Sequence, residues 1–218
     1  MIECAASGTI SSTLWAFRSC EIEIDILKKP IGKQDQYIAA YGGLKKFTFL
    51  KDETVEIKCF DLSGSERRTL GSNLTLHFTN IIRNANLILV KQKKNIEAKN
   101  KELHVISGLV NDVEAAIEKR NFNKIGTILK KNWDAKKSLA DNISNEVIDK
   151  MVNKALKNGA FGCKIAGAGG GGFLLSYVPR GKQDTYRKAM ADFKELPFMI
   201  DPFGSRIIFN IRFDSNYI

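Results

Sequence analysis

Gly167-Ala168-Gly169-Gly170-Gly171-Gly172, running straight into Phe173-Leu174-Leu175-Ser176-Tyr177-Val178, is the stretch that decides how this sequence folds. Its second half is short, apolar and aromatic, which predicts a buried strand. Its first half strips the Cβ from nearly every position, so the backbone is free to take positive φ and to come close to a neighbour. Two uses fit such a run. Its N–H groups can approach a phosphate, or the bare backbone can serve a tight turn and close packing of elements. A Walker loop is excluded, because no Gly-Lys-Ser/Thr follows and the run leads into a strand instead of a helix.

Upstream the apolar spacing is helical. Leu103, Ile106, Val110, Val113 and Ile117 recur at three- and four-residue intervals and mark one helix face. Phe122, Ile125, Leu129 and Trp133 continue that period in a second helix. Val147, Ile148, Met151, Val152 and Leu156 define a third over residues 145–157, with Ser144 as its expected N-cap and Gly159 as its C′ residue. Downstream, residues 183–193 read as a helix, and Ile207, Phe209, Ile211 and Phe213 alternate as a last strand.

Toward the N-terminus, Leu74, Leu76 and Phe78 alternate as a strand. Phe47 and Phe49 before a turn at Asp52, and Val55, Ile57 and Cys59 after it, predict a hairpin. Residues 35–40 start a helix behind the breakers Pro30 and Gly32, and Gly42-Gly43 closes it. Glu21-Ile22-Glu23-Ile24-Asp25-Ile26-Leu27 alternates acidic and apolar residues, as a strand or an exposed amphipathic segment does. Residues 1–20 carry no clear period. Strands and helices mix without strict alternation, so the expected class is α+β, a sandwich.

The bulk properties agree with a packed globular chain. Of 218 residues 44% are hydrophobic and 27% charged, enough to bury a core. No apolar run approaches the roughly 20 residues that span a bilayer. The opening Met1-Ile2-Glu3-Cys4 lacks the basic-then-apolar layout of a signal peptide, so the expected place is the cytoplasm with no membrane partner. Cys4, Cys20, Cys59 and Cys163 are scattered, with no zinc spacing, and read as reduced thiols. Lys plus Arg exceeds Asp plus Glu by 34 to 24, a net +10 that attracts polyanions, including nucleotides, sugar phosphates and nucleic acid. The lysines lie in small groups without interleaved aromatics, so a solvated basic face is expected and a nucleic-acid partner is not.

Asp35 stands in Pro30-Ile31-Gly32-Lys33-Gln34-Asp35-Gln36-Tyr37, a carboxylate among polar residues at a loop-to-helix junction. There it either takes a proton from a substrate hydroxyl, with a neighbouring Lys to orient it, or caps the helix.

Gly32 to Tyr37, followed by Ala39-Ala40-Tyr41-Gly42-Gly43, resembles the aspartate motif of the GHMP kinases, and its wording is most similar to the heptose 7-phosphate kinases of bacterial surface-sugar pathways. Lys164 to Leu175 resembles the same family's C-terminal Gly-rich motif. Thr79, Arg83 and Ala85 resemble its Thr-Gly-x-x-Arg-x-Ala segment, with Asn80 where Gly is usual. Trp133, Lys136-Lys137, Ser144-Asn145, Ile148-Asp149 and Gly204-Ser205-Arg206 extend the likeness, which runs in order from Glu21 to Phe209.

The resemblance implies a GHMP kinase-like fold: residues 1–72 as the remnant of an N-terminal domain and residues 73–218 as a C-terminal, ferredoxin-like α/β sandwich. It implies ATP and Mg²⁺ as cofactors and a sugar phosphate, heptose 7-phosphate or a relative, as the partner phosphorylated at its anomeric position. Asp35 would be the base, Lys33 or Gln34 would contact the sugar, and Arg83 would hold substrate or its phosphate. Gly167, Ala168, Gly169, Gly170 and Gly171 would support the nucleotide phosphates. Glu23, twelve positions before Asp35, would bind magnesium, with Glu21 and Asp25 beside it as competing acids and a solvated acidic residue as the other reading of Glu23. The family's Pro-x-x-x-Gly-Leu-Gly-Ser-Ser loop has no counterpart; Ala6-Ser7-Gly8-Thr9-Ile10-Ser11-Ser12 lacks its Gly-x-Gly core. The expectation is therefore an N-terminally truncated kinase, with an inactive kinase-like fragment or binding subunit as the alternative.

Overall fold

The strand expected after the glycine run lies in the middle of its sheet. A computed structural model describes residues 11–208, and the chain divides into two units, Met1–Ile57 with Asp201–Ile218 and Lys58–Ile200. The expected boundary between residues 72 and 73 falls inside the second unit.

The first unit begins with helix α1 (Ser12–Cys20), opened by Ser11, whose Oγ accepts from the Leu14 amide. A π-helical turn, Glu21–Ile26, continues it, with the Leu27 amide donating to the Ile22 carbonyl at 2.9 Å. Of the two readings of that stretch this corrects the strand, and the exposed amphipathic segment stands. Among the described residues no strand pairs with its backbone, and Ile22 and Ile26 are left exposed. Helix α2 (Gln34–Tyr41) follows and ends at Gly42, φ +60. Strands β1 (Lys45–Phe49) and β2 (Val55–Cys59) form the expected hairpin. Ala16, Cys20, Tyr37 and Ala40 make a small core, with Ile24, Tyr41, Phe47, Val55 and Ile57 packed against it. Residues 201–205 return to the end of α2: Gly43 N–H donates to Asp201 O at 2.6 Å and Ser205 N–H to Ala39 O at 2.8 Å. A Cβ on Gly42 would sit 2.0 Å from the Gly204 nitrogen, so both the turn and the close crossing require glycine there.

The second unit opens with α3 (Gly64–Ser72), set by a reciprocal capping box between Ser63 and Glu66. Strand β3 (Leu74–Phe78) follows, then α4 (Ala85–Lys94), α5 (Asn100–Glu118), α6 (Phe122–Lys137) and α7 (Glu146–Lys157). Strands β4 (Gly162–Ile165) and β5 (Phe173–Tyr177) precede α8 (Gln183–Ala189). Among the described residues the sheet has the order β3-β5-β4, antiparallel throughout. Leu74 faces Tyr177 and Phe78 faces Phe173 across one side of β5, and Ile165 faces Leu174 across the other. The outer edge of β3 is not bare, since Phe78 N–H donates to Lys194 O and Leu196 N–H to Leu76 O.

Helices α6 and α7 pack on the sheet, and α5 packs on α6. Between them Trp133, Ile143, Ile148, Met151, Ile165, Leu174, Val178, Tyr186 and Met190 are almost wholly buried. Burying a side chain of this size contributes about 1.5–3 kcal/mol each; Trp133, Ile148 and Met151 come from the expected helix faces, whereas Val110 and Val147 of the same faces are exposed. Two helix ends differ from expectation. Asn145, not Ser144, caps α7 by accepting from the Ile148 amide, while Ser144 Oγ bonds Asp149 Oδ1 at 2.7 Å. Helix α8 stops at Ala189, short of residue 193. The final strand expected from Ile207 lies largely outside the described residues; Ile207 itself is not in a strand. No helix among the described residues is long and apolar enough to cross a membrane.

Candidate functional site

The π-helical turn and the first turn of α2 face one another across a cleft of about 430 Å³ in the first unit. Its lining is Ser19, Ile22, Glu23, Asp35, Gln36 and Ala39. Winding residues 21–26 as a π-helix turns Glu23 toward α2, where Gln36 Nε2 donates to its Oε2. Lys29 Nζ donates to Oε1 at 2.9 Å. Hydrogen bonds from Lys29 and then Gln36 hold the Glu23 carboxyl below its usual range, so it is charged at neutral pH.

Asp35 is exposed in the first turn of α2. It does not cap the helix: Lys33 occupies the N-cap, with no side-chain cap bond. Among the described residues the Asp35 carboxylate has neither an ion-pair nor a hydrogen-bond partner, although its neighbours do. Lys33 pairs with Glu53, and that bond raises the Lys33 pKa. Gln34 is exposed on the helix start. Gln36, buried, spends its Nε2 on Glu23 and leaves its Oε1 without a partner.

The Glu23 carboxylate, which the resemblance assigns to magnesium, already meets an ammonium and an amide, one on each oxygen. No group of three or more His, Cys, Asp and Glu side chains among the described residues could hold a metal ion.

The glycine run is in the second unit, between β4 and β5. Its amides and carbonyls are used in opposite ways. Gly170 N–H donates to Ile143 O at 2.7 Å and Gly172 N–H to Ile81 O at 3.0 Å, which pins the loop to the core. The carbonyls of three successive residues are met by side chains: Lys136 Nζ on Gly167, Gln92 Nε2 on Ala168 at 3.1 Å, and Arg83 Nε on Gly169. Thr79 clamps the far end, donating its N–H and its hydroxyl to Gly172 O at 2.8 and 2.9 Å. Asn80, which stands where glycine is usual in the resembled motif, takes φ +60, a conformation asparagine tolerates better than most residues.

Arg83 also lines a second cleft of about 490 Å³, with Asn84, Leu87, Ile88, Lys91 and Lys94 of the α4 region, Asn142 and Gly170. Lys136 has its pKa pushed down to about 8, first by burial and then by the charges of Lys164 and Arg83. Lys164 is likewise lowered by burial. The expected residues thus fall into two sets. Glu23 and Asp35 share a cleft in the first unit; Arg83 and Gly167–Gly171 are joined in the second. In the sequence Gln36 and Lys136 stand only as members of the Gly32 to Tyr37 stretch and the Lys136-Lys137 pair, with no role given to either.

Known proteins resemble this chain along most of its length. A family model described as GHMP kinases C terminal matches residues 113–194, which run from α5 through α8. Over 172 residues the chain is 30% identical to a D-glycero-alpha-D-manno-heptose 7-phosphate kinase of Campylobacter jejuni, covering 78% of this chain and 51% of that one. Over 194 residues it is 27% identical to a galactokinase of Pyrococcus furiosus, covering 77% and 54%. A crystal structure of a D-glycero-D-manno-heptose 1-phosphate kinase from Bacteroides thetaiotaomicron shares the fold at TM-score 0.65 and 24% identity, covering 89% of this chain and 54% of that one. The chain spans about half the length of the curated relatives it matches. The family model takes in the helices and strands that frame the glycine run, on an α+β fold shared with a solved kinase, and residues 113–194 of this chain are a GHMP kinase C-terminal domain.

Proposed function

We propose that this chain acts in ATP-dependent phosphoryl transfer to a sugar phosphate, at the anomeric hydroxyl of heptose 7-phosphate or a related sugar. The observation that carries the reading is Asp35: an exposed carboxylate on a cleft, at a helix start, with no partner among the described residues while the charges around it are paired. Such a group is available to accept the proton of an attacking hydroxyl. The acceptor oxygen bonds to the γ-phosphorus of ATP, its proton passes to the Asp35 carboxylate, and ADP leaves. Positioning and charge stabilisation supply most of the rate in such a transfer, and no step is assigned to a protein-bound metal.

Lys33 and Gln34 immediately precede Asp35 and are proposed to contact the sugar. Lys33 must first leave Glu53, but that pair is exposed, and exposed pairs are worth only about 0–1 kcal/mol. In the second unit, Arg83 keeps its terminal nitrogens for a phosphate while its Nε is held by Gly169. The Gly167–Gly171 turn, pinned at Gly170 by Ile143 and just beyond its end at Gly172 by Ile81, is proposed to support the nucleotide phosphates.

A coupled assay of ADP release tests this. The chain is supplied with ATP, magnesium chloride and a panel of sugars and sugar phosphates. Sugar-phosphate-dependent ADP release that drops about 100-fold or more in Asp35→Asn supports the proposal. Release that is independent of the sugar phosphate, or undiminished in Asp35→Asn, sinks it.

A further inference from the structure

Strand β3 buries a histidine along the outer edge of the sheet. His77 is 2% exposed and lies opposite Glu195 in an antiparallel bridge. The amides on either side complete the bridge: Phe78 N–H donates to Lys194 O at 2.9 Å and Leu196 N–H to Leu76 O at 2.8 Å. Residues 194–196 thus form a strap on the edge of β3. A few residues later the chain passes into the first unit at Asp201.

No polar group on the page satisfies the ring. His77 Nδ1 is buried without a hydrogen-bond partner among the described residues. Nε2 is 4.0 Å from Glu195 Oε2, too far for a hydrogen bond. From α8, Tyr186 packs edge-on at 5.4 Å with its hydroxyl turned to Ser176 Oγ, and Arg187 acts on the ring with its positive charge. From the strap, Glu195 acts with its negative charge, but Arg187 already holds both its oxygens, Nε on Oε2 at 2.8 Å and Nη2 on Oε1 at 3.0 Å. From β5, Leu174 pairs with His77 and brings no charge.

A neutral imidazole has one donor and one acceptor; a protonated one has two donors. Protonating His77 in place puts a charge, and an N–H with no acceptor, into the interior. Burial outweighs the pull of Glu195 and holds the His77 pKa below its ordinary 6.5. The charged ring is satisfied only by water, and of the strands beside it the strap gives first. Two backbone bonds and the partly exposed Arg187–Glu195 pair hold the strap, whereas β5 is paired with β3 along its whole length.

We propose that His77 is an acid-operated latch: a neutral ring keeps the 194–196 strap on β3, and a protonated ring releases it. The latch does not depend on the Asp35 chemistry. A released ring takes up a proton more readily than a covered one, so release grows as pH falls below about 6.5. Glu195, held below the usual carboxylate range by Arg187, stays charged through that window.

Amide hydrogen exchange of the full chain, corrected for the intrinsic effect of pH, reads the strap from about pH 7 to about pH 5. The Leu196 and Phe78 amides should lose protection by up to about tenfold per pH unit below 6.5. They should also stay less protected than the Val178 amide, which bonds Asn73 O; equal protection would mean that the unit opens as a whole, and overturns the latch. His77→Phe keeps a ring beside Tyr186 and removes the proton, so it should abolish the loss. His104, exposed on α5, is the other histidine, and His104→Asn should leave the loss intact. Circular dichroism identifies a His77→Phe chain that does not fold. The parent then decides: its His77 ring must titrate below His104, and the loss of protection must level off where that ring titrates. A His77 ring that titrates with His104, strap amides unchanged across the range, or a loss that persists in folded His77→Phe overturns the proposal.

Discussion

Replacing Gly170 by alanine isolates how much of the glycine run is required by packing. At φ +73 the backbone is left-handed, which costs an L-residue about 1–2 kcal/mol. The added Cβ would stand 2.5 Å from Ile88 Cδ1 and 2.8 Å from the Asn142 carbonyl oxygen. Ile88 is core and Asn142 O is backbone, so neither yields cheaply; overpacking of this kind costs about 1–3 kcal/mol. Together Gly170→Ala should lose about 2–5 kcal/mol. Gly172→Ala is the control. Its φ of +87 is also positive, but a Cβ there meets nothing within 4 Å, so only the backbone cost of about 1–2 kcal/mol applies. Urea denaturation followed by Trp133 fluorescence, with Trp15 replaced by Phe, reads the second unit, because Trp133 is buried in its core. Gly170→Ala should lie about 1–3 kcal/mol below Gly172→Ala. Equal losses, or a smaller loss for Gly170→Ala, would refute the account of the loop as a close-packed turn.

Asn80 at φ +60 should accept glycine with a change of a few tenths of a kcal/mol but lose about 1–2 kcal/mol as valine, measured in the same denaturation. Lys136 carries a pH signature: its folded pKa of about 8 lies below the ordinary 10.5, so between those values the unfolded chain binds more protons and stability rises with pH. Lys136→Met should flatten that rise by about 1 kcal/mol after allowance for partial exposure, and a curve identical to the parent's contradicts it. Gln36→Leu removes one of the two hydrogen bonds that lower the Glu23 pKa, so the Glu23 carboxyl should titrate higher, as followed by carbon NMR. An unmoved titration there would mean that Lys29 alone sets the charge.

The elements that were legible are those with a long periodic face. Helices α5, α6 and α7 repeat apolar residues every three or four positions because one face lies on the sheet or on another helix, and β3 and β5 alternate or run apolar because they are buried. Short elements with one or two inward residues left no such trace. Helix α1 buries only Ala16 and Cys20, and α3 only Leu70; the Ser63-to-Glu66 capping box was the one local sign of α3. The π-helical turn looked like a strand because its acid and apolar residues alternate, yet it continues a helix and leaves Ile22 and Ile26 exposed. Ser144 had the chemistry of a cap as Asn145 did, and adjacent candidates differ only in backbone geometry.

The site divides in the same way. Asp35 and the glycine run announced themselves through local composition. The contacts of the run with Lys136, Gln92 and Arg83 join residues 31, 76 and 86 positions apart, and no local pattern carries that information. Nor could spacing show that Lys29 and Gln36 would claim both oxygens of Glu23, since that depends on how the π-helical turn is wound.

The central claim is that Asp35 receives the proton of a sugar-phosphate hydroxyl as ATP gives up its γ-phosphoryl group. Phosphorus NMR of the chain with ATP, magnesium chloride and heptose 7-phosphate tests it most directly, because it reads the product's own phosphate. The account predicts a new anomeric phosphate signal that grows with ADP and is missing with Asp35→Asn. An unchanged sugar-phosphate spectrum with the parent chain, or the same anomeric signal from Asp35→Asn, would contradict it.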